Sequence, residues 1–172
     1  MEPADGFRRP GPEEFRHVLG HFCTGVTVIT TACGGHLAGF TCQAFSALSI
    51  DPPLVLFCVA GTSATWPWIR QSRLFCVNVL AADQAELGRR FAARGARRFD
   101  RLDLGRTPGG APMLPGATAW IGCTLENHFP AGDHTIAVGR VSELLADSSR
   151  APLLCFRGRL APGPAPPLGH LC

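Results

Sequence analysis

The hydrophobic pattern changes period along this chain, and the changes mark its elements. Over residues 13–23, Phe15, Val18, Leu19 and Phe22 recur at helical spacing, which predicts a helix stopped by Gly25. Residues 26–31 (VTVITT) are β-branched throughout, Gly34-Gly35 supplies a hairpin turn, and a return strand covers about residues 37–41. Residues 45–49 form a further strand, ended by Asp51-Pro52-Pro53. Residues 54–60 (LVLFCVA) are apolar without a break, which predicts a strand buried on both faces.

Residues 62–71 predict a short helix capped by Thr62 or Ser63, with Trp68 and Ile69 inward. Residues 74–80 (LFCVNVL) read as a core strand, and residues 84–93 as a helix. A Gly/Pro-rich loop follows over 101–118. Strands at 119–129 and 135–145 flank a turn at 130–133, and 153–156 is a last short strand. Seven or so strands with two or three helices predict a mainly β fold, a small β-barrel with helices packed on it. The expected layout is a flexible segment over residues 1–12, one domain over 13–160 and a Pro-rich mobile tail over 161–172.

Composition narrows the class. The chain has 172 residues, 46% of them hydrophobic, enough for one domain with a real core. All 16 basic residues are arginine, which reads as a GC-rich genome, and a net charge of +3 is too small to indicate nucleic acid. Six arginines crowd residues 89–101, suiting a small anionic ligand or a solvated helix face. The eight cysteines lack zinc spacing and often sit in apolar runs, so they read as reduced thiols of a cytoplasmic protein, with no metal site. Residues 17–50 carry no acidic or basic residue except His, yet Thr, Gly, Ser and Gln recur, which excludes a membrane span.

Acid/base groups are sparse. The chain has no phosphate-binding P-loop, no GxGxxG after a strand and no GxSxG. That points away from hydrolysis and towards chemistry carried by a bound cofactor. The segment Thr41-Cys42-Gln43-Ala44-Phe45-Ser46 can offer backbone N–H groups and small side chains to a planar heterocycle, or it can be an ordinary crossover between strands. Ser63 and Thr65 at a helix start can bind phosphate or simply cap the helix. His134, after the Gly132-Asp133 turn, can border a pocket mouth or be a solvated turn residue.

Taken in order, Thr24-Gly25-Val26-Thr27-Val28-Ile29-Thr30-Thr31, Gly39-Phe40-Thr41, Ala44-Phe45-Ser46, Asp51-Pro52-Pro53-Leu54-Val55, Phe75-Cys76-Val77-Asn78-Val79-Leu80, Phe91-Ala92, Gly132-Asp133-His134 and Gly139-Arg140-Val141 form a series. The series resembles the short-chain flavin reductases, the reductase components of two-component flavin monooxygenases, over residues 13–160. The resemblance implies a homodimeric flavin-binding split β-barrel, in which NADH or NADPH reduces FAD or FMN for a partner monooxygenase. It implies that Thr41, Cys42, Gln43, Ala44, Phe45 and Ser46 line the isoalloxazine and ribityl chain. Cys58, Val59, Ala60, Ser63, Ala64 and Thr65 would hold the ring edge and phosphate, with Phe91 and Ala92 packed nearby. His134, Arg157, Gly158 and Arg159 would lie on the nicotinamide side.

Two departures from the family pattern stand out: Leu160 replaces a frequent aromatic, and Cys42-Gln43 replace smaller residues. The dimer interface is expected near residues 75–80. Alternatives on the same barrel are an FMN-dependent oxidase of pyridoxamine-phosphate type and a flavin-binding protein without turnover. No nucleic-acid or membrane partner is expected.

Overall fold

The computed structural model describes residues 11–95 and 97–165. Helix α1 (Pro12–Leu19) starts with Pro12 in its first turn, and Glu13 and Glu14 sit at the positive end of its dipole. It ends at Gly20 rather than near Gly25, because Thr24–Gly25 is taken up by a two-residue strand, β1. Its apolar stripe faces outward: Phe15, Val18 and Leu19 are all exposed, and so is Phe22 just beyond its end, to 74%.

Strands β2 (Thr27–Cys33) and β3 (His36–Cys42) turn at Gly34-Gly35, whose φ values of 57° and 82° match the twist of a two-residue hairpin. Strands β4 (Phe45–Ser49) and β5 (Leu54–Ala60) follow. Val55, Phe57 and Val59 of β5 are buried, whereas Leu56 and Cys58 are only half-buried. The strand is therefore covered on one face, and the expectation of two buried faces is corrected. Helix α2 (Trp66–Ser72) begins after Thr65 with no side-chain cap, so Thr62 and Ser63 do not cap it. Trp66 and Ile69 enter the core, while Trp68 stacks on His36 with ring centroids 4.3 Å apart.

Strand β6 (Leu74–Val79) and helix α3 (Ala85–Ala92) lead into the loop region, which holds a small ladder of β7 (Gly105–Arg106) and β8 (Pro112–Met113). The long strands β9 (Ala119–Ala131) and β10 (His134–Ala146) turn at Gly132-Asp133, with Gly132 at φ 63°. Strand β11 (Leu153–Phe156) is followed by one the sequence pattern did not announce, β12 (Arg159–Pro162). Leu153 pairs with Pro162 and Leu154 with Ala161, so the first residues assigned to a mobile tail belong to the domain. Residues 1–10 and 166–172 of the expected flexible ends lie outside the described residues.

Seven strands form one sheet in the order β3-β2-β6-β9-β10-β5-β4. Its two outer strands are joined by Gln43-Ala44 alone, so the sheet must roll until its edges approach. No ladder joins β3 to β4 among the described residues, and the barrel stays split. The Cys42 thiol crosses the seam to the Cys58 carbonyl at 3.6 Å, and Phe40 and Phe57 meet with centroids 6.0 Å apart. The interior packs Ile29, Phe57, Trp66, Ile69 and Phe75, with Phe75 edge-on to Phe57. A second cluster under α3 gathers Val26, Val28, Leu80, Phe91 and Leu114. Phe75, Cys76, Val77, Asn78 and Leu80 have no exposed surface within one copy, so of residues 75–80, expected near a dimer interface, only half-buried Val79 keeps surface for a second copy.

Candidate functional site

Three neighbouring cavities lie along the seam and the small sheet of β1, β11 and β12. The first, of about 620 Å³, opens over the edge strand β4, whose outer N–H and C=O groups have no ladder partner among the described residues. Phe22, Phe45, Leu56 and Val79 give it apolar walls, and Gln43, Ser46 and Thr24 give it polar edges. The second, of about 530 Å³, lies between α3 and the hairpin of β11 and β12. Thr41, Gln43, Ala92, Arg89, Gly158 and Arg159 line it. The third, of about 390 Å³, is bounded by Glu13, Arg16 and His17 of α1 and by Arg157 and Gly158. Gln43 belongs to the first two cavities and Gly158 to the last two.

The crossover segment divides between these surroundings. Ala44, Phe45, Ser46 and Cys58 border the 620 Å³ cavity. The Gln43 side chain stands at the junction, its oxygen 3.4 Å from the Thr24 hydroxyl that donates to it. Thr41 borders the second cavity, where its hydroxyl donates to the Gly88 carbonyl at 2.6 Å. Cys42 points the other way, into the barrel. Burial pushes its thiol up to about 12, so it is a neutral donor, 3.6 Å from the carbonyls of both Ala44 and Cys58.

Other expected site residues fall behind the cavity walls. Val59 and Phe91 are fully buried in the two core clusters. Phe91 instead fixes the backbone of the site, because a Cβ on Gly39 would come within 2.9 Å of its ring. Thr65 is buried and its hydroxyl donates to the Gly39 carbonyl at 3.1 Å, while the Ser63 hydroxyl accepts the Thr65 N–H. Ala64 is exposed, and none of Ser63, Ala64 and Thr65 lines the three cavities.

Half-buried Ala60 pairs with His134 across β5 and β10. His134 lines none of the three cavities; its Nδ1 lies 2.7 Å from the Asp133 carboxylate. The hydrogen bond from His134 holds the Asp133 carboxyl below the usual carboxylate range, and Arg16 adds a smaller pull. The hairpin tip is thus within electrostatic reach of the third cavity.

The arginine-rich segment divides between arginines that brace its own loop and one that lines a cavity. Arg90 donates to the carbonyls of Arg97 and Asp100, and Arg98 to those of Ala93 and Gly39, which locks the loop after α3. Arg89 alone of this segment lines a described cavity, paired to Glu86 at 3.3 Å. Sequence reading missed the apolar wall of Phe22, Leu56 and Val79 and the cations of α1. The outward face of an amphipathic helix was the signal for Phe22. Among the described residues no cluster of His, Cys, Asp or Glu could hold a metal ion, and the seven described cysteines are free thiols.

The family model of the flavin reductase like domain matches residues 19–164. The chain belongs to this family. Among similar flavin reductases, the reductase subunit HsaB of a flavin-dependent monooxygenase from Rhodococcus jostii is 49% identical over 148 residues, 86% of this chain and 76% of that protein. The solved structure of a nitrilotriacetate monooxygenase component B homologue from Mycobacterium thermoresistibile matches with a TM-score of 0.85 at 43% identity, covering 87% of this chain and 85% of that one. The NADH:FAD oxidoreductase SgcE6 of Streptomyces globisporus, solved with NAD and FAD fragments, matches with a TM-score of 0.83 at 33% identity, covering 90% and 95%. The flavin-reductase split barrel expected from the sequence is therefore the fold of this chain.

Proposed function

We propose that the protein is a flavin reductase that uses NADH or NADPH to reduce FAD or FMN and passes the reduced flavin to a partner monooxygenase. The observation that carries this reading is the 620 Å³ cavity, apolar on its walls and polar along its rim, beneath an unpaired strand edge. A volume of this size lies within the roughly 300–1,000 Å³ of small-molecule sites. A planar, amphipathic ring fits such walls, and strand-edge amides and the Gln43 and Ser46 side chains suit its heteroatoms. Relatives named as reductase subunits of monooxygenases support the same reading.

When bound, the two cofactors supply the hydride donor and acceptor, so the protein needs no acid/base dyad. Its own residues hold and orient. Phe45 and Leu56 shield the flavin cavity from water, Gln43 fixes the junction, and Cys58 borders the ring edge. His134, steadied by Asp133, lies at the nicotinamide side together with Arg157 and Arg159. Two copies assemble through the exposed stripe of Phe15, Val18, Leu19 and Phe22, which adjoins the flavin cavity at Phe22. The free thiols suit a reducing cytoplasm.

Steady-state consumption of NADH or NADPH by the purified full chain tests the proposal. Oxidation should depend on added flavin. Turnover of an amine without nicotinamide would instead indicate an oxidase, and flavin binding without turnover a carrier.

A further inference from the structure

The chain has no lysine, so its cysteines are its principal side-chain nucleophiles, and the fold sorts them. Cys42, Cys76, Cys123 and Cys155 are buried. Thiols react as thiolates, and burial pushes the first three up to about 12, which keeps them neutral and inert. Cys33 is half-buried at the end of β2, paired with His36, and lines none of the three cavities.

Cys23 and Cys58 differ from all of these. Cys23 is exposed between α1 and β1, Cys58 is half-buried in β5, and both line the 620 Å³ cavity. The alternation of β5 puts Val55, Phe57 and Val59 in the barrel and turns Leu56 and Cys58 to the cavity side. The strand is pinned there. The Cys58 N–H donates to the Ala44 carbonyl at 2.9 Å, and the Cys58 carbonyl accepts the Cys42 thiol at 3.6 Å. Both cavity thiols are free and donate to no protein acceptor among the described residues, whereas those of Cys42 and Cys123 do.

We propose that Cys23 and Cys58 form a covalent trap for planar electrophiles of the quinone class, which enter the cavity as the flavin ring does and close it by bonding to a thiol. A quinone is flat, apolar on its faces and polar at two opposite edges, which matches the walls of Phe22, Phe45 and Leu56 and the polar rim. Holding such a ring beside a thiol makes the addition a local event. The sulfur bonds to a ring carbon next to one carbonyl. The hydrogen on that carbon moves as a proton to one carbonyl oxygen, and the thiol proton goes to the other. The quinone is thereby reduced to a hydroquinone thioether, with no further oxidant, reductant or leaving group. The attached ring occupies the cavity and excludes flavin. The proposal rests on the flavin-reductase reading.

The test uses the full chain without nicotinamide or oxygen, the para isomer of naphthoquinone as probe, and peptide mass spectrometry to follow each cysteine. Cys58 and Cys33 are both half-buried, so their rate ratio reports the cavity rather than exposure. Naphthoquinone should favour Cys58 by about ten-fold or more. Iodoacetamide, which has no ring, should label the two at similar rates. FMN at about ten times its Kd should slow the quinone about ten-fold at Cys23 and Cys58 and leave Cys33 unchanged. NADH oxidation, assayed afterwards, should fall in step with labelling, and a Cys23→Ser, Cys58→Ser protein should keep its own activity through the same treatment. A Cys58-to-Cys33 ratio equal for both reagents, FMN that binds without slowing the quinone, or equal loss of activity in wild type and double variant would overturn the proposal. Failure of the flavin-reductase reading shows separately, as wild-type protein that neither binds nor reduces FMN while naphthoquinone still favours Cys58.

Discussion

The side-chain oxygen of Asn78 accepts the backbone N–H of Leu114 at 2.7 Å, and this bond ties the interior strand β6 to the loop that closes the second core. The Asn78 amide also donates to the Val28 carbonyl at 2.9 Å and the Thr30 hydroxyl at 3.0 Å. A fully buried amide with every bond made fixes the register of β2 against β6 and of the loop against both. Asn78→Ala leaves the Leu114 N–H and the Val28 carbonyl without that partner, at about 1–3 kcal/mol for each buried group stranded. Thermal melting should fall by several degrees, read by circular dichroism. An unchanged midpoint would show that water replaces the amide.

The flavin cavity can be filled without touching the core. Ala44 is exposed and borders the cavity, so Ala44→Trp should weaken FMN affinity about ten-fold or more while stability stays within about 0.5 kcal/mol. Fluorescence quenching and melting together decide it.

Thr65 and Ser63 now separate. The Thr65 hydroxyl is committed to the Gly39 carbonyl, in the backbone held by Phe91. Thr65→Val should destabilise the fold by about 1–2 kcal/mol, and Ser63→Ala should leave the melting midpoint near wild type. Equal effects in the two variants would contradict this division.

His134 should act on the coenzyme and not on the flavin. His134→Ala removes the ring beside Asp133 at the hairpin tip, so the KM for NADH or NADPH should rise about three- to ten-fold, with FMN affinity unchanged. Steady-state kinetics with parallel quenching measure both. Kinetic constants equal to wild type would make His134 a turn residue only.

Alkaline stability follows from the buried thiols. Burial pushes Cys42, Cys76 and Cys123 each up from 9.0 to about 12. Between these values the unfolded chain releases protons that the folded chain keeps, so this stabilisation is complete below pH 9 and is lost as pH rises towards 12. Melting midpoints should fall progressively above about pH 9, and less steeply in Cys76→Ala. Thiol alkylation at pH 8 should label exposed Cys23 and spare these three.

Local signals carried most of the chain's reading. The β-branched run at β2, the Gly34-Gly35 turn, the apolar run of β5 and the ordered family motifs are visible in residues close in sequence, and they determined the strands, the hairpins and the split-barrel family. Strand β12 was hidden because its Ala and Pro composition suggests a tail, and its partners in β11 are what hold it. Burial was the larger gap. The same apolar period in α1 could mean core or surface, and only the rolled sheet left Phe15 and Val18 outside while sealing β6 within. Likewise Thr41 and Thr65, alike as hydroxyls in sequence, were assigned by which carbonyl the fold brought within reach. Periodicity records which residues share a face, but what covers that face is decided by contacts between segments distant along the chain.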